Sequence, residues 1–439
     1  MKRKRIIIIA VECTIIFFIL VCYYFIFWGN LWGTESRSTG ISDRSKIEKD
    51  NSDHAYEGNR AESEISPNIE ADIKITKNVV NIKQKLVLKE AVDAIHLYIP
   101  SCNTSKTAIK NVLSEKGFKN IITADNNLRV DFEGKQDRIY LEYEIILDSK
   151  PEPLTYSKDF ILLTNFLITP AVYKDGSPVF LYKSSFGDPY IYDINSYSIK
   201  VKTDKDLSIY APGKKEEEII DDDKIAVFQA ENLRDFPVVI FKSADVKVEK
   251  YGETNIYYIN SYKAREYVGQ ALEFGINNIG PYPYKDFFVV KVPLSQKGME
   301  LSNMILLSED NFNDTEILKR VAYHEVFHQW FYGIIGTDQL NEPFFDEGLV
   351  NYLSLMLSNN EMSKYYNQRL FQLHLKDYNS KEQYYNLAYN ESAVYFRTLH
   401  KKLGDDFFKL LQKIYEEKKF SIIYFNEFLE YTKDFLGGN

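Results

Sequence analysis

The sequence predicts an α+β multidomain chain in which a single transmembrane helix precedes an N-terminal antiparallel β domain and a mostly helical C-terminal domain. Three observations carry this prediction: an apolar run over 6–28, short alternating runs between about 71 and 246, and long helical periodicity beyond 313. At 439 residues the chain also exceeds one ordinary hydrophobic core, so two folded domains plus attachments are expected.

Residues 1–5 read Met1-Lys2-Arg3-Lys4-Arg5, a short cytoplasmic tail, and 6–28 contain one charged residue, Glu12. At about 1.5 Å per residue the apolar run reaches about 34 Å, enough to cross a hydrocarbon core of about 30 Å. A cleaved signal peptide would have a shorter apolar region ending in small residues. Here the run ends in Tyr23, Tyr24, Phe25, Phe27 and Trp28, which favours an uncleaved anchor. The basic residues stay cytoplasmic, so the sequence predicts a single-pass protein of the cell membrane with everything after Asn30 outside. Glu12 either snorkels to the cytoplasmic interface or contacts a membrane partner. Residues 29–68 are polar and aperiodic and read as a disordered stalk. Cys13 and Cys22 lie in the anchor, which leaves Cys102 alone outside; packing rather than an internal disulfide must stabilise that part, with Cys102 a small buried side chain.

The β domain is placed at 69–246. Candidate strands are 73–82, 86–88, 94–99, 128–132, 138–147, 198–203, 207–210, 225–229 and 237–241, several with the two-residue alternation of half-buried strands. His96 falls on the polar phase of its strand and reads as a surface histidine. Glu216, Glu217, Glu218, Asp221, Asp222 and Asp223 match no oxygen-cage spacing and read as a solvated hairpin. With 63 Asp+Glu against 54 Lys+Arg, a net charge of -9 and no basic block in the body, a nucleic-acid partner is excluded.

From 247 to 439 the texture becomes helical. Helices are expected at 264–274, 315–332, 347–357, 363–376, 388–403 and 405–418, with a turn at 280–284 and a strand at 287–292. No internal repeat is present.

Within 315–332, capped by Asn313-Asp314, stands His324-Glu325-Val326-Phe327-His328. Residues four apart share a helix face, so both imidazoles can reach one ion at about 2.0 Å, while Glu325 points about 100° away and stays off it. Nineteen residues after His328, Glu347 opens another helical pattern and can supply a third ligand. Two histidines and a glutamate with one open position form a zinc donor set that leaves room for water or substrate.

This constellation resembles the aminopeptidase N family of gluzincin peptidases, which includes leukotriene A4 hydrolase. The likeness lies in His324-Glu325-Val326-Phe327-His328, in Gln329-Trp330-Phe331 and in Asp346-Glu347-Gly348 after the family's eighteen-residue spacing. Gly298-Met299-Glu300 resembles the family's Gly-x-Met-Glu-Asn motif, although Leu301 replaces the final Asn. Ser185-Phe186-Gly187-Asp188-Pro189, the segment from Glu231 to Phe236, and Gly280-Pro281-Tyr282-Pro283-Tyr284 look like family landmarks, so the likeness runs from about residue 70 to the end.

The resemblance implies a saddle-like β domain packed on a thermolysin-like domain that holds one zinc ion per chain at His324, His328 and Glu347. It implies peptide substrates, with Glu325 as general base and Gly298, Met299 and Glu300 binding the substrate, Glu300 through its free amino group. Tyr389 falls where the family has its oxyanion-stabilising tyrosine; Tyr384 and Tyr385 compete for the role, and Glu391-Ser392 departs from the usual Lys-Gly. The family's helical-repeat roof has no counterpart before residue 439. The expectation is therefore a more open cleft, with an endopeptidase, a peptide-processing enzyme or a non-catalytic peptide receptor as alternatives and a partner that completes the roof as a further one. His54, His374 and His400 lack partner spacing and read as solvent-facing or structural.

Overall fold

Alternation builds the first layer. In the strand Asn68–Thr76, Ile69, Ala71, Ile73 and Ile75 are buried while the intervening polar residues face outward. The computed structural model describes residues 68–100, 105–362 and 364–437, which belong to one compact unit, Gly58–Asn439. The anchor at 6–28, Glu12, Cys13, Cys22, the stalk, His54 and Cys102 lie outside the described residues. Among the described residues no helix is long and apolar enough to cross a membrane.

A nine-stranded sheet runs in the order Lys214–Ile220, Asp223–Leu233, Asn195–Asp204, Asn68–Thr76, Val79–Tyr98, Asn127–Ile146 and Lys106–Leu113, with Phe118–Ala124 on Asn127–Ile146 and Thr169–Pro170 on Val79–Tyr98. One pairing departs from the antiparallel expectation: Asn68–Thr76 lies parallel to Asn195–Asp204, with Ile73 opposite Val201. The expected strand at 73–82 is two strands, because Lys77 takes a left-handed φ of 55° and reverses the chain. The pieces expected at 86–88 and 94–99 belong to one 20-residue strand, as do those at 128–132 and 138–147, and both long strands bend where the register shifts between Val87 and Ala94. The acidic hairpin is as read, turning at Asp221, which takes a φ of 57°.

Beneath lies a four-stranded sheet, Ser208–Tyr210, Val238–Phe241, Phe160–Leu163 and Thr155–Tyr156. Its two central strands, Phe160–Leu163 and Val238–Phe241, are apolar on both faces because both faces are covered. Ile161, Leu163, Val238 and Ile240 pack on the nine-stranded sheet, while Leu162, Val239 and Phe241 pack on a third sheet. That five-stranded sheet runs Val246–Tyr251, Thr254–Ile259, Asp286–Val292, Met304–Ser308 and Gly298–Leu301, parallel in its middle. The boundary read at 246/247 falls on its first strand. Sequence reading found only 287–292 of this sheet.

The sheet's other face, through Phe287, Val289, Ile305 and Leu307, packs on helices α1 (Arg265–Asn278) and α2 (Thr315–Phe327). Helix α3 (Pro343–Leu357) is buried at every position from 343 to 355, which makes it the central helix, covered by α4 (Ser392–Leu403), α5 (Asp406–Lys418) and α6 (Phe425–Leu436). The helix expected at 363–376 is instead two short 3-10 turns, Gln368–Gln372 and Leu375–Asp377, and α6 was not foreseen.

Candidate metal centre and cleft

Helix α2 starts where Asp314 caps it, accepting hydrogen bonds from the backbone N–H groups of Glu316 and Ile317. It stops at Phe327, five residues short of the expected end, because the chain turns at His328 to bury Trp330, whose indole N–H donates to the Gly280 carbonyl at 2.8 Å. Helix α3 begins at Pro343, a favoured first-turn residue, so Glu347 lies in its second turn rather than at its start. Gly348 allows α4 to approach: a Cβ there would lie 2.2 Å from that of Ser392.

These two helices converge on one point. Glu347 Oε2 is 3.2 Å from His324 Nε2 and 3.5 Å from His328 Nε2, and the two nitrogens are 3.2 Å apart. Ligands at about 2.0–2.1 Å on a tetrahedral zinc stand about 3.3–3.4 Å from one another, so the three atoms fit one face of such a site. Glu347 Oε2 is buried and accepts no geometrically sound hydrogen bond, as a ligand atom would. His328 Nδ1–H donates to the Phe331 carbonyl at 3.0 Å, which leaves the Nε2 lone pair facing the centre.

Glu325 is buried beside this centre, its Oε1 pressed against Gly298 on the edge strand Gly298–Leu301. Burial pushes its carboxyl up to about 8, with Glu347 adding repulsion. Burial alone would raise Glu347 too, but the two imidazoles hold it down to about 2. Burial and the nearby Asp188 push Glu300 well above the ordinary range.

Glu300, on the edge strand, is buried at 7 % exposure. The Gln339 Nε2 amide donates both to Glu300 Oε1 at 2.7 Å and to Asp346 Oδ2 at 2.8 Å, tying the strand to the α3 start. Met299 lines the cleft, yet alternation along its strand buries its side chain in the apolar cluster with Leu301 and Met304.

Tyr389 lies in a π-helical turn, Tyr385–Glu391, followed directly by α4. Asn351 of α3 donates to the Tyr389 carbonyl at 3.1 Å, and the Tyr389 ring stacks on His324 at 5.5 Å. Burial and Glu347 raise its hydroxyl well above the usual range, keeping it a donor. Tyr384 is fully buried against Gly187 and Phe186, whereas Tyr385 is partly exposed on the cleft wall. Glu300, His324, Glu325, Glu347, Tyr385 and Tyr389 line one cleft of about 500 Å³.

Asp188, Gln339 and Asp346 join the site without a linear motif that marks them as part of it. Asp188 lines the cleft and is pushed up to about 7 by burial and by Glu347; the motif holding it was noticed, but nothing linear connects it to α2. Gln339 sits in an irregular loop with no periodic signal. The other histidines among the described residues have structural partners: His96 is half-buried at 2.9 Å from the Tyr173 hydroxyl, His374 hydrogen-bonds Asn341 Oδ1 at 2.7 Å, and His400 stacks on Phe407.

No protein-family model and no curated protein matches the sequence. Solved structures do match. The M1 zinc metallopeptidase from Deinococcus radiodurans aligns at TM-score 0.61 and 12 % identity over 85 % of this chain and 92 % of its own, and a mutant of it aligns at 0.63. Legionella pneumophila aminopeptidase A, solved with aspartic acid, aligns at TM-score 0.65 and 14 % identity over 85 % of this chain; the match spans 48 % of the Legionella chain. The described chain therefore has the fold of the M1 zinc metallopeptidases and carries, at His324, His328 and Glu347, a donor set that fits a zinc ion.

Proposed function

We propose that the chain is a zinc-dependent metallopeptidase of the aminopeptidase type, held at the cell membrane by residues 6–28 with its folded part outside. The observation that carries the reading is the mutual 3.2–3.5 Å spacing of the His324, His328 and Glu347 ligand atoms. When bound there, zinc supplies Lewis acidity at the scissile carbonyl and acidifies the attacking water. Glu325 takes the proton of that water and passes it to the leaving amine. The Tyr389 hydroxyl donates to the oxyanion that forms on the carbonyl. Glu300 pairs with the substrate's α-ammonium, and Gln339 holds that carboxylate in place.

The membrane part rests on the apolar run at 6–28 and its basic flank. Metal analysis of the purified full chain should give about one zinc, and a free-amine peptide should be cleaved while its N-acetylated form resists. Cleavage of the acetylated peptide would favour the endopeptidase alternative; zinc occupancy without hydrolysis of any peptide would favour a receptor. Fractionation of expressing cells should place the full chain with membranes, and a soluble full chain would remove the anchor.

A further inference from the structure

The cleft floor is acidic, with Asp188, Glu300, Glu325 and Glu347, but its mouth is not. Lys183, Lys297, Arg320 and Lys381 line it, all exposed, against one further carboxylate, Glu152. None of the four forms an ion pair with a described residue, although Lys381 sits 5.6 Å over the Tyr385 ring. Elsewhere this net-acidic chain pairs many of its lysines, for example Lys85 with Glu70, Lys110 with Glu144 and Lys418 with Glu427. The four cations at this opening therefore have no described carboxylate partner and face the cleft with their charge available to a ligand.

Helix α2 gives this feature a direction. Arg320, His324 and His328 follow one another at four-residue spacing on one face, and eight residues at 1.5 Å rise separate the ends by about 12 Å. Glu300 meets this row at the His328 end, where ligand atoms of Glu300, His328 and Asp346 lie within 4.8 Å of one another. Along the helix the order is thus the ammonium anchor, the metal ligands, then Arg320. A peptide with its N-terminus at Glu300 and extended at about 3.3 Å per residue carries its second and third residues toward Arg320.

We propose that Arg320, on the cleft that Lys297 and Lys381 also line, forms a carboxylate-selecting subsite on the leaving-group side. The substrates it selects are free-amine peptides with Asp or Glu as second or third residue. This rests on the aminopeptidase reading of the same site. A guanidinium suits the role because it presents several donors to a carboxylate and stays charged at any working pH.

The test uses the full chain in detergent and C-terminally amidated tetrapeptides with a neutral first residue and either Asp or Asn at position two or three. The Asp peptide should have a kcat/KM about three- to tenfold above its Asn twin, a ratio that shrinks with added salt. The ratio should approach one in Arg320→Gln and fall below one in Arg320→Glu. Affinities of the same pairs for the zinc-loaded Glu325→Gln variant, measured by calorimetry, should follow the same pattern. Failure to cleave any peptide would count against the hydrolase reading, while the affinity ratio would still decide the subsite. A wild-type ratio of one, a ratio unchanged in both Arg320 variants, or selectivity confined to peptides with a free C-terminal carboxylate overturns the proposal.

Discussion

Gly298 and Glu325 are packed so closely that a Cβ on residue 298 would lie 2.2 Å from Glu325 Oε1 and 2.6 Å from its carboxyl carbon. Real carbon–oxygen contacts do not reach that distance, so the edge strand and Glu325 share a space that only glycine leaves open. The glycine makes room for the carboxylate, and both residues line the same cleft.

Gly298→Ala should therefore displace Glu325 without disturbing the metal ligands. A displacement of about 1 Å at a reacting group costs on the order of 100-fold. Kinetics combined with metal analysis check this: kcat should fall by that order with zinc occupancy retained, and near-wild-type turnover would show that Glu325 has freedom to move aside.

Glu325→Gln tests the base directly. The amide is isosteric and cannot accept the proton, so kcat should fall by about 100- to 10 000-fold while zinc stoichiometry stays at wild-type level. Loss of zinc in this variant would mean that Glu325 ligates rather than activates.

Three phenylalanine substitutions separate the tyrosines. Tyr389→Phe should lower kcat by on the order of 100-fold with little change in KM, because the lost donor acts only on developing charge. Tyr385→Phe, farther along the cleft wall, should cost much less. Tyr384→Phe should affect stability rather than rate, since that ring is enclosed by Phe186, Tyr378 and Tyr389. A larger rate loss at Tyr385 than at Tyr389 would reverse the assignment.

Stability should carry a pH signature from Asp235. Burial pushes this carboxyl up to about 6 despite donation from the Tyr332 hydroxyl and from Ser302. An acid with a raised folded value binds its proton more tightly when folded. Its contribution is then complete below the unfolded value of about 3.9 and is lost as pH rises through 6, a change of about 3 kcal/mol. Denaturant unfolding of wild type and Asp235→Asn across pH 4 to 7 should show a gap that changes by that order. A constant gap would rule the shift out.

The parts of the fold that follow a short period were legible. Alternation in Asn68–Thr76 and Asn195–Asp204 marks which side is buried, and the four-residue spacing in α2 brings His324 and His328 together whatever surrounds them. What stayed hidden depends on contacts distant in sequence. Lys77 is no turn residue by type, yet it reverses a strand once Val79–Tyr98 pairs back. Residues 363–376 have helix-forming composition, but the backbone there is drawn elsewhere, with Leu375 N–H bonded to the Leu340 carbonyl. Gln339 has meaning only after Glu300 and Asp346 are brought to it from 39 and 7 residues away. The π turn that presents Tyr389 likewise has no linear signature.

Arg234 has a wider consequence. From the strand side it donates to the carbonyls of Tyr192, Tyr332, Ile334 and Ser421, at 1 % exposure. Those four oxygens come from the β part, from the loop that follows the metal-binding histidines and from the segment before α6. A single guanidinium thus acts as a keystone between regions that a map of the linear chain would draw as separable modules. Residues 247–439 expressed alone would lose it: the Tyr332 carbonyl would be left without its donor, at a cost of about 1–3 kcal/mol, while the Ile334 and Ser421 carbonyls would keep only the backbone N–H groups of Phe420 and Gly336. The histidine-bearing half is therefore not a portable unit, and grafting it onto another scaffold would require the β layers to travel with it.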